Sequence, residues 1–258
     1  MKQRAGFQLG TLGGGNHFVE IGIDETDAVW LVLHSGSRGV GNKLAVGHIR
    51  AAKQLAKDLE RRLEDKDLAY FLDSDKGFNA YIEDMLWAQR YAWENRETMM
   101  DALLAVFAKK MRVAAVKEAR RINCHHNYTC RECHGGEDTW ITRKGAINAE
   151  GGRFGIIPGS MGTSTHIVEG LGNPDSYNSA AHGSGRVLSR TAAKKAMTAD
   201  DLRWQMKGVK TWQHANAESL IDEAPKAYKP IEVVMADMET LVRPLREIKT
   251  VLNYKGFA

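Results

Sequence analysis

The chain is short of the features that mark secreted and membrane proteins. Only three cysteines occur in 258 residues, and Cys124, Cys130 and Cys133 lie within ten positions of one another. An odd, clustered set is a poor disulfide framework, so reduced thiols are expected. There is no apolar run of roughly 18 residues, which excludes a membrane-spanning helix. The first twenty residues carry glycine and charge where a leader peptide needs an apolar stretch, so the expectation is a cytoplasmic protein outside the membrane. The five prolines all fall after residue 157, and no internal repeat, low-complexity tract or polar linker is found. No Gly-x-Ser-x-Gly elbow or Cys-His hydrolase order occurs, which argues against hydrolases. Neither sign of charge dominates: 36 basic against 32 acidic residues leave +4, compatible with an acidic partner such as nucleic acid but not demanding one.

What is present is enough to fold. Hydrophobic residues make up 43% and charged residues 26%, an ordinary globular balance that buries a substantial core. "HFVEIGI" and "AVWLVLHSG" read as strands, with the Gly-rich "GTLGGGN" and "SGSRGVGN" as loops. From Leu44 to Leu63 apolar positions recur three or four apart, which predicts an amphipathic helix with Asn42 as N-cap. From Asn79 to His126 neither Gly nor Pro occurs, so one very long helix or two stacked ones are expected, giving a helical segment over about 42–122. After Gly135 come Gly-rich loops and short strands, and "PIEVVMADMETLVRPLREIKTVLNYKGFA" reads as a strand or two and a helix. The expected fold is α+β: one domain over 1–258, built of strands and Gly-rich loops with a long helical insertion.

Chemistry gathers on the loops. "GGGNHFVE" sets Asn16, His17 and Glu20 behind three glycines that let backbone approach a ligand. "VLHSGSRGVGNK" ends a strand with His34 and leads toward a helix N-terminus, but Asn42 stands where a P-loop needs Lys. "NCHHNYTCRECHGG" supports three readings: a haem-attachment match at Cys130 to His134 without an export signal, a small zinc site using Cys130 and Cys133, or His126 and Asn127 joining the other histidines. "PGSMGTST" offers hydroxyls and backbone suited to phosphate or a base. In "SYNSAAHGSGRVLSR" small residues leave room beside His182, and Arg186 is placed to hold an anion, with a phosphate-bearing ligand as the first guess. Four histidines beside Gly, Asn or Ser suggest a transition-metal nucleotide site.

"GTLGGGNHFVEI", "LHSGSRGVGN", "CHHNY", "TRKGAINA", "IIPGSMGT", "SYNSAAHGSGRVLSR" and the terminal "YKG" occur in order over the whole chain. In this order and spacing they resemble the RtcB family of RNA ligases. The resemblance implies a GTP- and Mn²⁺-dependent enzyme that joins RNA ends bearing a 2′,3′-cyclic phosphate or 3′-phosphate to 5′-hydroxyl ends, in tRNA splicing and RNA repair. It implies His182 as the nucleophile that accepts GMP, with Arg186 balancing phosphate charge. His17 would serve one manganese, and His34 and His126 the other. Around GTP it places Asn16, His17, Phe18, Val19, Glu20, His126, Asn127, Pro158, Gly159, Ser160, Met161, Thr165, His182, Gly183, Ser184, Gly185 and Lys255, with Glu20 reading the guanine edge. RNA and GTP are the implied partners, and a monomer is expected. Family members also carry an N-terminal Asp-x-Gly-Cys-type motif that completes the metal sites. Met1 lies just before "GFQLGTLGGGNH", so the expectation is a C-terminal portion without those ligands, Cys124 being a candidate substitute beside His126. Phe257 and Ala258 extend the usual Lys-Gly ending. The alternative is a remnant that binds guanine nucleotide or RNA without ligation.

Overall fold

The computed structural model describes residues 6–256; Met1, Phe257 and Ala258 lie outside the described residues. The fold is α+β, and contacts divide it into two compact units, one of residues 6–11 with Ser35–Met99 and one of Leu12–His34 with the chain from Met100 onward. Among the described residues no helix is long and apolar enough to cross a membrane.

The first unit is helical. Helix α1, Arg38–Asp58, buries Val40 near its start and the neighbouring pair Ala52 and Ala56 one turn apart towards its end. Helix α2, Phe78–Met111, contributes its residues up to Met99. Fully buried Asn95 receives the Gly10 and Thr11 amides on its Oδ1 at 2.8 and 3.2 Å and donates to Ser35 Oγ at 3.1 Å, so one amide closes three chain segments.

Both helices depart from the sequence expectation at their ends. The N-cap of α1 is Ser37, not Asn42, and Gly39 and Gly41 sit inside its first turns, so the loop after His34 is short. The helix stops at Asp58 although Leu59 and Leu63 continue the apolar period. Glu60 turns to φ +49° and the Arg61 amide reaches back to Ala56 O at 2.8 Å, a left-handed C-terminal closure made without glycine. Helix α2 ends the same way, with Arg112 at φ +56° and the Val113 amide on Ala108 O at 3.1 Å. Residues 112–126 are therefore not helical. Arg121 in that stretch instead pairs with Glu118 and Asp101, each at 2.8 Å.

The second unit is built on a five-stranded antiparallel sheet of order β2-β1-β9-β7-β6, from β1 Phe18–Ile23, β2 Val29–His34, β6 Phe154–Pro158, β7 Thr165–Gly170 and the 14-residue β9 Val242–Lys255. Alternation turns Phe18, Glu20 and Gly22 of β1 inward. Gly22 is required there, because a Cβ would lie 2.3 Å from Ile248 Cγ2 where the register with β9 shifts. The hairpin of β3 Asn127–His134 and β4 Glu137–Lys144 turns on Gly135 and Gly136, at φ +61° and +86°, the pair of positive values that a tight two-residue hairpin needs. Short β5 Ala146–Asn148 pairs with β8 Ser179–Ala181. Helices α3 Arg190–Ala196, α4 Ala199–Gln205, α5 Ala217–Leu220 and α6 Ile231–Asp237 complete the unit. Its core is in three clusters, around Ile147, Ile157 and Val168, around Met161, Leu202 and Met206, and around Phe18, Val32 and Ile167.

Candidate functional site

Strand ends and loops of the second unit bring four imidazoles into a row. Ring centroids are 5.6 Å apart for His17 and His34, 4.7 Å for His34 and His126, and 4.7 Å for His126 and His182. The Nε2 atoms of His34 and His126 face each other at 2.9 Å. His17 precedes β1 and His34 closes the paired β2, while His126 precedes β3 and His182 follows β8. Burial, with the neighbouring imidazoles and Lys255, holds the pKa of His34 well below its ordinary value. Burial also lowers that of His182.

Two of the rings have their tautomers set by backbone carbonyls. The Nδ1–H of His17 donates to Leu12 O and that of His182 to Gly145 O, both at 2.7 Å. In a neutral imidazole this leaves the lone pair on Nε2. Gly145 is the hub that sequence reasoning did not single out. Its amide donates to His126 O at 2.7 Å and to Asn127 Oδ1 at 2.9 Å, its φ is +70°, and a Cβ there would stand 3.3 Å from the His182 ring. Its one signal in the sequence is its place in "TRKGAINA".

A second polar group forms beside Phe18. Glu20 is 1% exposed; its carboxylate accepts from Thr165 Oγ1 and from Asn253 Nδ2, both at 2.9 Å. Burial raises its pKa to about 7 against the lowering effect of those bonds. Lys255 is Phe18's register partner on β9, and its Nζ lies 5.0 Å from the Phe18 ring centroid. Gly256 follows immediately, its amide on His17 O at 3.0 Å and its Cα against the Gly13 backbone, so the end of β9 locks onto the triple-glycine loop.

The loop at 158–165 and the loop after His182 pack on each other through backbone. The Ser184 amide donates to Pro158 O at 3.1 Å, and a Cβ on Gly183 would come within 2.9 Å of that oxygen. Gly159 donates to Ser164 O and Ser160 N to Thr163 Oγ1, which closes the first loop as a tight turn. Of the residues expected around a nucleotide, Met161 spends its side chain in the core with Leu202 and Met206, and Val19 points to the face of β1 opposite Glu20. Ser184 Oγ and Asn253 Oδ1 are buried without a hydrogen-bond partner among the described residues, a condition that a bound polar ligand would relieve.

Two expectations are corrected. Arg186 is not held out for an anion: its Nε–H donates to Leu188 O, Nη1 to Tyr228 Oη, both at 3.0 Å, and Nη2 to Asp222 O at 2.5 Å, and Nη1 lies 3.5 Å from Glu223. Cys130 and Cys133 lie an odd number of positions apart on one strand and therefore on opposite faces. Cys130 donates to Glu132 Oε1 at 2.8 Å, and burial with that carboxylate pushes its thiol up to about 11, so neither the zinc nor the haem reading survives. Cys124, the candidate substitute thiolate, packs against the Ile147 cluster.

Facing imidazole nitrogens are a donor set suited to a divalent transition ion. Among the described residues no group of three or more His, Cys, Asp or Glu side chains converges as a complete metal site. The histidines thus fit an ion as partial ligands.

The model of the tRNA-splicing ligase RtcB family matches residues 1–256. The chain is 44% identical over 252 residues to the RNA-splicing ligase RtcB of Escherichia coli K12, which covers 96% of this chain and 61% of the relative. It is 32% identical over 272 residues to the tRNA-splicing ligase RtcB of Methanococcus maripaludis, covering 90% of this chain and 56% of the relative. The chain thus spans less than two thirds of the length of these relatives. On the match over nearly its whole length, the chain belongs to the tRNA-splicing ligase RtcB family.

Proposed function

We propose that this chain carries the guanylyl-transfer and sealing centre of an RNA ligase that uses GTP and Mn²⁺ to join a 2′,3′-cyclic phosphate or 3′-phosphate end to a 5′-hydroxyl end, in the cytoplasm and as a monomer. The observation that carries the reading is the tautomer of His182. Its Nδ1–H is spent on Gly145 O and burial favours the neutral ring, so Nε2 presents a lone pair. Nε2 attacks the α-phosphorus of GTP, a P–N bond forms and pyrophosphate leaves. An oxygen of the RNA 3′-phosphate then attacks the same phosphorus, which returns the electron pair to Nε2 and places GMP on the RNA end. The 5′-hydroxyl oxygen attacks that 3′-phosphate, its proton passes to solvent, and GMP departs as the phosphodiester forms; a 2′,3′-cyclic end is first opened to the 3′-phosphate by addition of water. Glu20, fixed by Thr165 and Asn253, accepts from the guanine edge, and Ser184 Oγ offers its unspent hydrogen-bonding capacity to the nucleotide. Manganese bound by His34 and His126, with His17 serving a second ion, would supply positive charge to phosphate oxygens. The remaining positions of such an ion would be filled by substrate oxygens, water or ligands outside the described residues.

The test is incubation with α-phosphate-labelled GTP and Mn²⁺ followed by denaturing separation. Label that stays on the wild-type chain and is lost in His182→Ala supports the reading. Label that does not depend on His182 overturns it. The second reading is a module that binds guanine nucleotide or RNA without ligation, since among the described residues no three or more His, Cys, Asp or Glu side chains form a complete metal site. That reading predicts reversible GTP binding with no covalent label.

A further inference from the structure

Lys255 stands in the candidate nucleotide pocket, and a lysine is a point charge on a flexible stem that needs fixing before it can read anything. The fixing group is a carboxylate from a different part of the chain. Glu223 is 2% exposed; its Oε2 accepts from Lys255 Nζ at 2.9 Å and from Tyr228 Oη at 2.8 Å, while its Oε1 lies 2.7 Å from Arg190 and 3.5 Å from Arg186. Arg186 follows the His182-Gly-Ser-Gly run directly, and its guanidinium lies 4.9 Å over the Tyr228 ring. Backbone ties run in parallel: Lys229 N to Gly185 O at 3.0 Å and Val187 N to Ala227 O at 2.9 Å.

We propose that Glu223 is a positioning residue of the pocket: its buried carboxylate anchors Lys255 and Tyr228 and couples them, through Arg186, to the loop that carries His182. The inference rests on the nucleotide reading above for its functional consequence and on the contacts alone for the anchor. Burial and the adjacent Glu223 charge push the Tyr228 hydroxyl far above its ordinary pKa, so it stays protonated and keeps donating. A carboxylate that only neutralised a buried cation would stabilise the fold without setting where the ammonium points. An anchor does both.

The experiment uses the full chain and the variants Glu223→Gln, which keeps shape and loses charge, and Glu223→Asp, which keeps charge. Trace acylation with acetic anhydride, read by mass spectrometry, compares Lys255 with the exposed Lys249 as internal reference. Glu223→Gln should raise the relative acylation of Lys255 about tenfold, the scale of a charged hydrogen bond, and Glu223→Asp should restore part of the protection. In equilibrium binding the same Gln variant should weaken GTP about tenfold and ATP much less. Unchanged acylation of Lys255 in Glu223→Gln overturns the anchor. Raised acylation with unchanged GTP-to-ATP preference overturns its role in the pocket. A wild type that binds no GTP sinks the nucleotide reading and the pocket role with it, while the acylation arm still decides the anchor. Should Glu223→Gln fail to fold, Tyr228→Phe removes one of the two donors on Oε2 and should raise Lys255 acylation about twofold; no change there counts against the anchor.

Discussion

Two places in the second unit collect the same kinds of side chain and end up chemically opposite. On the β3–β4 hairpin, Cys130, Glu132 and His134 share one face, and Arg143 closes the set with two bonds to Glu132, at 2.5 and 2.9 Å. Cys130 and His134 each bond the same carboxylate at 2.8 Å, and Arg143 and Cys130 together hold the Glu132 pKa down to about 2. Arg143 further donates to Ser179 Oγ and Tyr177 O, so every strong group is answered within the fold. In the histidine row the Nδ1–H of His182 is spent on the Gly145 carbonyl and leaves the Nε2 lone pair turned the other way. An inventory of residue types does not tell these places apart. What remains unspent after internal bonding does.

The contrast can be broken from the side of the row first. His182→Ala should reduce guanylyl labelling at least about a thousandfold, as expected for loss of a covalent nucleophile, with thermal stability little changed. From the hairpin side, Arg143→Met leaves Glu132 half-buried without its cation and should cost on the order of 3 kcal/mol, read as a lowered urea midpoint. Labelling per folded molecule should fall far less than for His182→Ala.

Glycine substitutions sharpen the same contrast. Gly145→Ala meets both a positive φ and the His182 ring, and should cost about 1–2 kcal/mol in stability and about tenfold in labelling rate. Gly135→Ala meets the positive φ alone, with nothing within 4 Å, and should cost about 1 kcal/mol with labelling unchanged. Equal labelling in the two variants would remove Gly145 from the site.

Glu20 gives a signed pH dependence. Its folded pKa of about 7 stands above the ordinary carboxylate value of 4.5, so between those pH values the folded chain holds a proton that the unfolded chain has released. Stability from this group is present below pH 4.5 and is lost as pH rises through 7, on the order of 3 kcal/mol in all. Glu20→Gln should flatten that part of the stability curve. GTP binding should move the other way, strengthening as the carboxylate ionises through pH 7.

The sequence was most readable where physics is local. "HFVEIGI" is apolar and β-branched behind a Gly-rich loop and is a strand, and the chain after Gly135 does turn to Gly-rich loops and short strands. Helix ends were not readable at Glu60 and Arg112, because side chains rarely found at positive φ do there what glycine usually does. The spacing of Cys130 and Cys133 contains their opposite orientation, since an odd separation on a strand fixes it. Arg186 was misread because its partners, Asp222, Glu223 and Tyr228, come from a segment distant in sequence. Nor does composition reveal that Glu20 is sealed at a core position, which depends on β9 arriving beside it.

That arrival has a consequence for how the protein is made. Among the described residues β9 is the last strand in chain order and the middle strand of the sheet, with the β1–β2 hairpin on one side and the β6–β7 hairpin on the other. In chain order both hairpins are complete before β9, and in the sheet nothing but β9 lies between them. Only once β9 has been made can Asn253 and Lys255 reach Glu20 and Phe18, so the buried surroundings of Glu20 are completed after both hairpins.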